Sequence, residues 1–319
     1  MRPQGNIPFA GGRRRFPRSV VASLAMPALC GAALMVAPPV LAASARPIDQ
    51  RVALEPNGTV AISNVAGNVV VKGWDNAEVH VTGTLGAGVE RLDVRKDGNR
   101  LVVKVILPRG VSGRDGDAAL QLSVPKTARL EISTVSADVG STQVSGELRV
   151  NSVSGDVGLD VADGATEVKT VSGDVMLRGS GAPGRVRVSS VSGAVRLERG
   201  AGSFEANTVS GDLTLALGMT QSLRLRSTSG DMRIDASSDR GGSVDVASVS
   251  GDVDLTLKAA AGFELDVESF SGDIESCFGA RGEPSGATGP GSALRTVRGT
   301  GGSRVRIKTL SGDVQVCDR

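Results

Sequence analysis

Val153-Ser154-Gly155-Asp156-Val157 decides the reading of this chain, because nearly the same five residues return at Val171–Val175, Val209–Leu213, Val249–Val253, Phe270–Ile274 and Leu310–Val314. Looser copies at Val135–Val139, Val191–Val195 and Thr228–Met232 put the central glycine, or Ala137 in its stead, at 137, 155, 173, 193, 211, 230, 251, 272 and 312. A fixed period of this size marks a solenoid, in which each unit buries its apolar face only against its neighbours. The expected architecture is all-β, a single-chain β-solenoid (β-helix) with coils of about 18–21 residues.

Counted from each glycine, positions seven and five before it are almost always apolar (Leu148 and Val150, Val186 and Val188, Val305 and Ile307), as are positions two and four after it (Val157 and Leu159, Val175 and Leu177, Val253 and Leu255). Such alternation is that of a half-buried strand. Three before the glycine stands a small hydroxyl, as at Thr134, Ser152, Thr170 and Ser190. The two apolar sets are an odd number of residues apart, so they cannot both point inward along one straight strand. The Ser-Gly-Asp step must bend, with the glycine free to take positive φ and the aspartate bonding nearby backbone N–H groups. Units differ in length in the remaining segment, for example Gly179–Gly184 and Ser237–Gly242, which predicts a variable loop on that side.

Before the repeats, Arg13, Arg14, Arg15 and Arg18 precede the apolar run Val20–Leu41, and Ala43-Ser44-Ala45 offers a small-residue cleavage site. Residues 1–45 are expected to be an export signal, removed in the mature chain and leaving no stable membrane span. Arg13-Arg14-Arg15-Phe16 is close to a twin-arginine motif, and the residue before Cys30 is too large for a lipidation signal. The whole sequence carries 36 basic and 34 acidic residues; without the five signal arginines, 31 basic residues face the same 34 acids. That balance does not call for nucleic acid. Residues 46–125 are expected to form an atypical N-terminal β cap in which Gly67 marks a first, degenerate coil and Asp97-Gly98-Asn99 a hairpin turn, with a loop at Gly110–Asp117. Residues 126–319 hold the repeats, interrupted by a glycine-rich insertion at 278–302.

If coils stack in register, equivalent residues form rows. Six before each glycine lie Glu131, Arg149, Glu167, Arg187, Glu205, Arg224, Asp245, Asp266 and Arg306, alternating in sign along most of the row. Neighbouring opposite charges fix register, each pair contributing roughly 0.2–1 kcal/mol. After each glycine a second row runs through Asp138, Asp156, Asp174, Asp212, Asp231, Asp252, Asp273 and Asp313, broken by Ala194. Like charges about 4.8 Å apart repel by roughly 1 kcal/mol in water. Backbone turn bonds would relieve them; so would calcium between coils, for which Asp156, Asp174, Asp212, Asp231, Asp252 and Asp273 are the candidates, although the nonapeptide of calcium-binding β-rolls is absent. No cofactor is implied. Cys277 and Cys317 each fall five residues after their glycine, so equivalent positions in adjoining coils predict a disulfide. Arg281, Arg295 and Arg298 of the insertion form a candidate interaction loop.

His80 is the one histidine and lies in the alternating run Val79-His80-Val81, where it reads as a solvent-facing strand residue. Without a partner histidine, a nucleophile elbow or metal-ligand spacing, the sequence offers no catalytic constellation.

The Val-Ser-Gly-Asp-Val repeats behind a signal peptide, with Val71-Lys72-Gly73-Trp74-Asp75 early and Gly289-Pro290-Gly291 before the last repeat, resemble the bacterial exported "putative adhesin" family of unknown function. The resemblance covers Gly58 to Val316 and implies a β-solenoid on or near the envelope, with no catalytic residues to carry over. The expected function is an exported, non-catalytic, adhesin-like interaction module with an envelope or surface partner, in the periplasm, at the outer surface or outside the cell. Alternatives are an envelope scaffold assembling end to end through open sheet edges, and an envelope polysaccharide enzyme built on a β-helix.

Overall fold

The computed structural model describes residues 46–108, 116–284 and 291–318. The export segment 1–45, most of the loop expected at Gly110–Asp117, and the Gly289-Pro290 part of the insertion lie outside them. The described residues form strands and turns with no helix, and none offers a helix long and apolar enough to cross a membrane.

Each repeat is one coil made of two strands that meet at the glycine. Leu148–Ser152 and Val157–Val161 make the Gly155 coil, Ala165–Thr170 and Val175–Gly179 the Gly173 coil. Successive coils pair in parallel and in register: Leu148 lies beside Thr166, and Val157 beside Val175. Inward residues of both strands close on a single apolar core that runs the length of the stack. The odd spacing across the corner is resolved as the alternation requires. Gly155, Gly173, Gly193, Gly211, Gly230, Gly251, Gly272 and Gly312 all take φ between 116° and 145°. They also stand in a column: a Cβ on Gly173 would lie 2.3 Å from the carbonyl oxygen of Gly155, and one on Gly193 2.2 Å from that of Gly173.

The variable side is less loop-like than the unit lengths suggest. From Val195 to Ser250 the chain crosses it as continuous strand, in Val195–Ser210, Leu213–Ser229 and Met232–Ser250, and the extra residues are absorbed as register shifts such as that between Ala216 and Met219. Ser237–Gly242 therefore sits inside a strand, because bulging satisfies its backbone groups without leaving the ladder.

At both ends the stacking order departs from the chain order. Thr59–Trp74, which carries Gly67 (φ 103°), packs on one side against Arg129–Thr142 and on the other against Arg100–Ile106 and Asp117–Pro125. The latter two strands are thus a further coil beneath the Gly67 coil, although they follow it in sequence. At the other end the last repeat, Ser303–Ser311 with Val314–Asp318, does not close the stack. It is inserted between the Gly251 coil and the Gly272 coil, pairing with Met232–Ser250 below and Gly262–Ser271 above.

Antiparallel strands cover both ends. Glu78–Leu85 pairs with Asp117–Pro125 and is itself covered by Arg46–Ala53; Arg91–Asp97 folds back on Arg100–Ile106 through a two-residue turn in which Gly98 has φ 56°. At the top, Ser292–Gly299 from the insertion lies antiparallel on Gly262–Ser271. The insertion is therefore a structural hairpin over the final coil.

Candidate interaction surface

Four rows of side chains run along the corner of the coils. The innermost is the hydroxyl row. Thr170, Ser190, Ser227, Ser248 and Thr309 are buried, and each donates its hydroxyl to the carbonyl oxygen two residues on, at 3.1–3.3 Å. That bond holds the chain in its bend just before the glycine. The sequence spacing shows the hydroxyls but not the bond they make.

The aspartate row follows. Asp156 Oδ1 accepts the backbone N–H of Asp174 at 2.9 Å, Asp174 Oδ1 that of Ala194 at 2.9 Å, and Asp231 Oδ1 that of Asp252 at 3.0 Å. The expected backbone bonds thus exist, but each reaches the next coil instead of its own turn. The same ladder traces the inserted repeat: Asp252 accepts from Asp313, and Asp313 from Asp273, both at 2.9 Å. Of the calcium candidates, Asp212, Asp231, Asp252 and Asp273 line one open cleft of about 500 Å³, while Asp156 and Asp174 lie further along the column. Among the described residues no three acids, histidines or cysteines converge on one point as a cation's ligands do.

The charge row, six before the glycine, is complete once the true stacking order is used. Asp245 and Asp266, adjacent in the sequence row, are separated in space by Arg306, which is in register with both. The sequence then runs Glu131, Arg149, Glu167, Arg187, Glu205, Arg224, Asp245, Arg306, Asp266 and ends on Arg295 of the capping strand, with no two like charges adjacent. Arg187 pairs with Glu205 at 2.8 Å and Arg295 with Asp266 at 3.0 Å. The hydrogen bond from Arg100 holds the Glu131 carboxyl below the usual carboxylate range; Lys169 does the same for Glu167, Arg187 for Glu205 and Lys308 for Glu268.

Between charge row and corner, two before each glycine, runs an apolar row. Val135, Val153, Val171, Val191, Val209, Val249, Leu310 and Phe270 are each 47–54% exposed, Thr228 takes the remaining exposed place, and Val65 of the Gly67 coil continues the row but is partly covered. Hydrogen-bonded register fixes them in single file: Ser172 N–H reaches Val153 O and Ser192 N–H reaches Val171 O, each at 2.9 Å, and flanking residues pair coil to coil through to Phe270. These residues were visible in the sequence as part of the repeat. Their outward direction follows from the alternation, since the hydroxyls beside them point in.

Cys277 and Cys317 are joined, with Cα atoms 4.8 Å apart. The bond ties the Gly272 coil to the repeat inserted beneath it. Of the three insertion arginines, Arg295 is engaged by Asp266 and Glu268, and Arg298 pairs with Asp318 at 2.7 Å while lying 4.8 Å over the Phe278 ring. Their charge is spent inside the chain. Arg281 lines a cleft of about 720 Å³ with Glu268, Phe270, Glu283, Arg295 and Lys308, and among the described residues it has no ion pair. His80 is partly covered, bonded to Asp49 at 2.8 Å and stacked at 6.2 Å from Trp74.

Solved structures that match most of the chain include a "putative adhesin" from Bacteroides fragilis (12% identity, covering 86% of this chain and 98% of that one, TM-score 0.37). A "putative cell adhesion protein" from Clostridium sporogenes matches at 10% identity (86% and 100%, TM-score 0.20). A "putative lipid binding protein" from Parabacteroides distasonis also matches at 10% (85% and 96%, TM-score 0.30). No curated protein matches the sequence. The model of one family spans residues 58–317, taking in every coil described above, and the chain therefore belongs to the Toastrack DUF4097 family.

Proposed function

We propose that the protein is exported and acts as a non-catalytic, adhesin-like interaction module of the cell envelope or surface, meeting its partner with the outer face that carries the apolar row. The observation behind this reading is that row: eight half-exposed aliphatic or aromatic side chains in file. An exposed apolar patch of such extent marks a contact surface more often than bare solvent. The charges beside it are already matched to one another along the stack, which leaves the apolar row as the unsatisfied feature of that face. A disulfide between neighbouring coils suits an oxidising compartment.

The enzyme alternative has less behind it. Phe204 and Phe263 are buried, and of the described aromatic side chains only Phe270 is exposed as a platform for a sugar ring. End-to-end assembly is opposed by the outermost strands at the lower end. Arg46–Ala53 carries Arg46 and Arg51, and Arg91–Asp97 carries Arg91, Arg95 and Lys96, the charge pattern that keeps sheet edges from adding strands.

A photo-crosslinking residue placed at Val191 in the producing cells tests the reading, with Arg196 on the far strand as control. Adducts to an envelope component or to another copy from position 191 and none from 196, in the envelope fraction, are expected. Absence of adducts from both positions, or recovery of the protein in the cytoplasm, would count against it.

A further inference from the structure

With the apolar row as the contact face proposed above, its chemistry and spacing narrow the occupant. We infer that it packs against the same row of a second copy, the two solenoids lying side by side with their stacks parallel.

The periodicity argues for self-recognition. Rungs recur once per coil, about 4.8 Å apart, over about 40 Å. A partner filling the gaps between them along the full length needs side chains at the same spacing, and an identical row has it throughout. Stacked identical side chains of two sheets meet in this way in dry interfaces, and a self-complementary patch is what a two-fold dimer requires.

The shoulders of the row fix the orientation. On its corner side runs the aspartate column; on its other side, four before the glycine, the charged residues are Lys169, Arg226, Lys308 and Glu268, basic on balance although Lys169 and Lys308 also pair with Glu167 and Glu268 of their own chain. A two-fold axis along the stack sets the acidic shoulder of one copy against the more basic shoulder of the other. An axis across the stack sets aspartate column against aspartate column, where rows of like charge repel. Thr228 gives an independent reason. It is the sixth of the nine exposed rungs, so parallel stacks bring it opposite its own counterpart, hydroxyl to hydroxyl. Antiparallel stacks bring it opposite Val191, an unpaired hydroxyl against methyl groups.

The size of the face sets the strength. A strip of eight half-exposed residues with its serine shoulder presents several hundred Å², and two such strips would bury on the order of 1,200 Å², the lower end of specific interfaces. The dimer is therefore weak and concentration-dependent, and is favoured where copies are held close together on one surface.

Sedimentation equilibrium of the purified protein should show a reversible shift toward twice the chain mass as concentration rises. Val171→Asp with Val191→Asp should weaken that association at least a hundredfold while leaving the melting temperature within a few degrees, since both sites are exposed. Val171→Thr with Val191→Thr, which keeps the shape, should weaken it less. Orientation is read by oxidative cross-linking: Val153→Cys alone should form dimers, because the second rung meets itself only in parallel stacks. A monomer at every concentration, or dimers untouched by the aspartates, would overturn the inference. So would cross-links found only when Val153→Cys is mixed with Leu310→Cys, the antiparallel pairing. Sedimentation with phospholipid vesicles that the aspartate variant loses, from a protein monomeric in solution, would give the face to a lipid surface instead. In that case, or if position 191 captures another envelope protein, the self-pairing fails while the contact-face reading stands.

Discussion

A methyl group at Gly193 has nowhere to go. Its backbone sits at φ 121°, outside the region that L side chains adopt, and the added carbon would lie 2.2 Å from the oxygen of Gly173 in the coil below. Strain and collision act together, and neither coil can move without breaking the ladders that hold it. Gly193→Ala is expected to lower stability by about 3 kcal/mol or more. Gly98→Ala is the control: that glycine has φ 56° in an exposed turn with open space where the methyl would point, and the cost should be about 1–2 kcal/mol. Urea unfolding of the two variants measures the difference. Equal midpoints would mean that the column tolerates a side chain and that positive φ alone explains the glycines.

Within each strand the residue six before the glycine belongs to a row that crosses all the coils, which makes a charge swap informative. Exchanging one pair, Arg187→Glu with Glu205→Arg, restores stability where an ion pair is isolated. Here it sets the introduced glutamate beside Glu167 and the introduced arginine beside Arg224, since each member of the pair has a second neighbour in register. The double variant should lose about 1–3 kcal/mol, and the loss should shrink in high salt. Full rescue by the swap would show that the row is a set of independent pairs. The same row carries a pH dependence. Glu131, Glu167 and Glu205, with Glu268 nearby, titrate lower in the folded chain than in the unfolded one because of their basic neighbours. Their contribution is present in full above the unfolded carboxylate value, about pH 4.3, and is lost as the pH falls through the lowered folded values. The melting temperature should accordingly be flat near neutrality and fall below about pH 4.5, more gently when Glu167 and Glu205 are both replaced by glutamine. The repeat showed which residues share this row, because position within a coil is a local property. It did not show that Asp245 and Asp266 are kept apart by Arg306. Two adjacent acids in an otherwise alternating row were the visible trace of a layer belonging between them, and a periodic sequence does not say in which order its layers are laid down.

At the scale of the molecule, that order has a consequence for how the chain holds together. A solenoid stacked in chain order loses one rung when its last repeat is removed, and the remainder closes on the coil before. In this protein the last repeat fills a middle place. Deleting residues 303–319 leaves Met232–Ser250 without its upper partner and Gly262–Ser271 without its lower one. It also removes the disulfide partner of Cys277, whose loop of about 40 residues would otherwise contribute roughly 3–4 kcal/mol. The two exposed strands cannot simply approach each other, since Ala259–Gly262 was laid out to span a layer that is now missing. Hydrogen exchange should therefore show protection lost in Gly262–Ser271 and Ser292–Gly299 of the truncated chain, while strands before Ser229 keep theirs. Open edges on both sides of the gap should also make the variant aggregate. If amides of Gly262–Ser271 stay protected after the deletion, the Gly272 coil must be able to stack directly on the Gly251 coil. The inserted repeat would then be an addition to the stack and not the layer that joins its end to the rest.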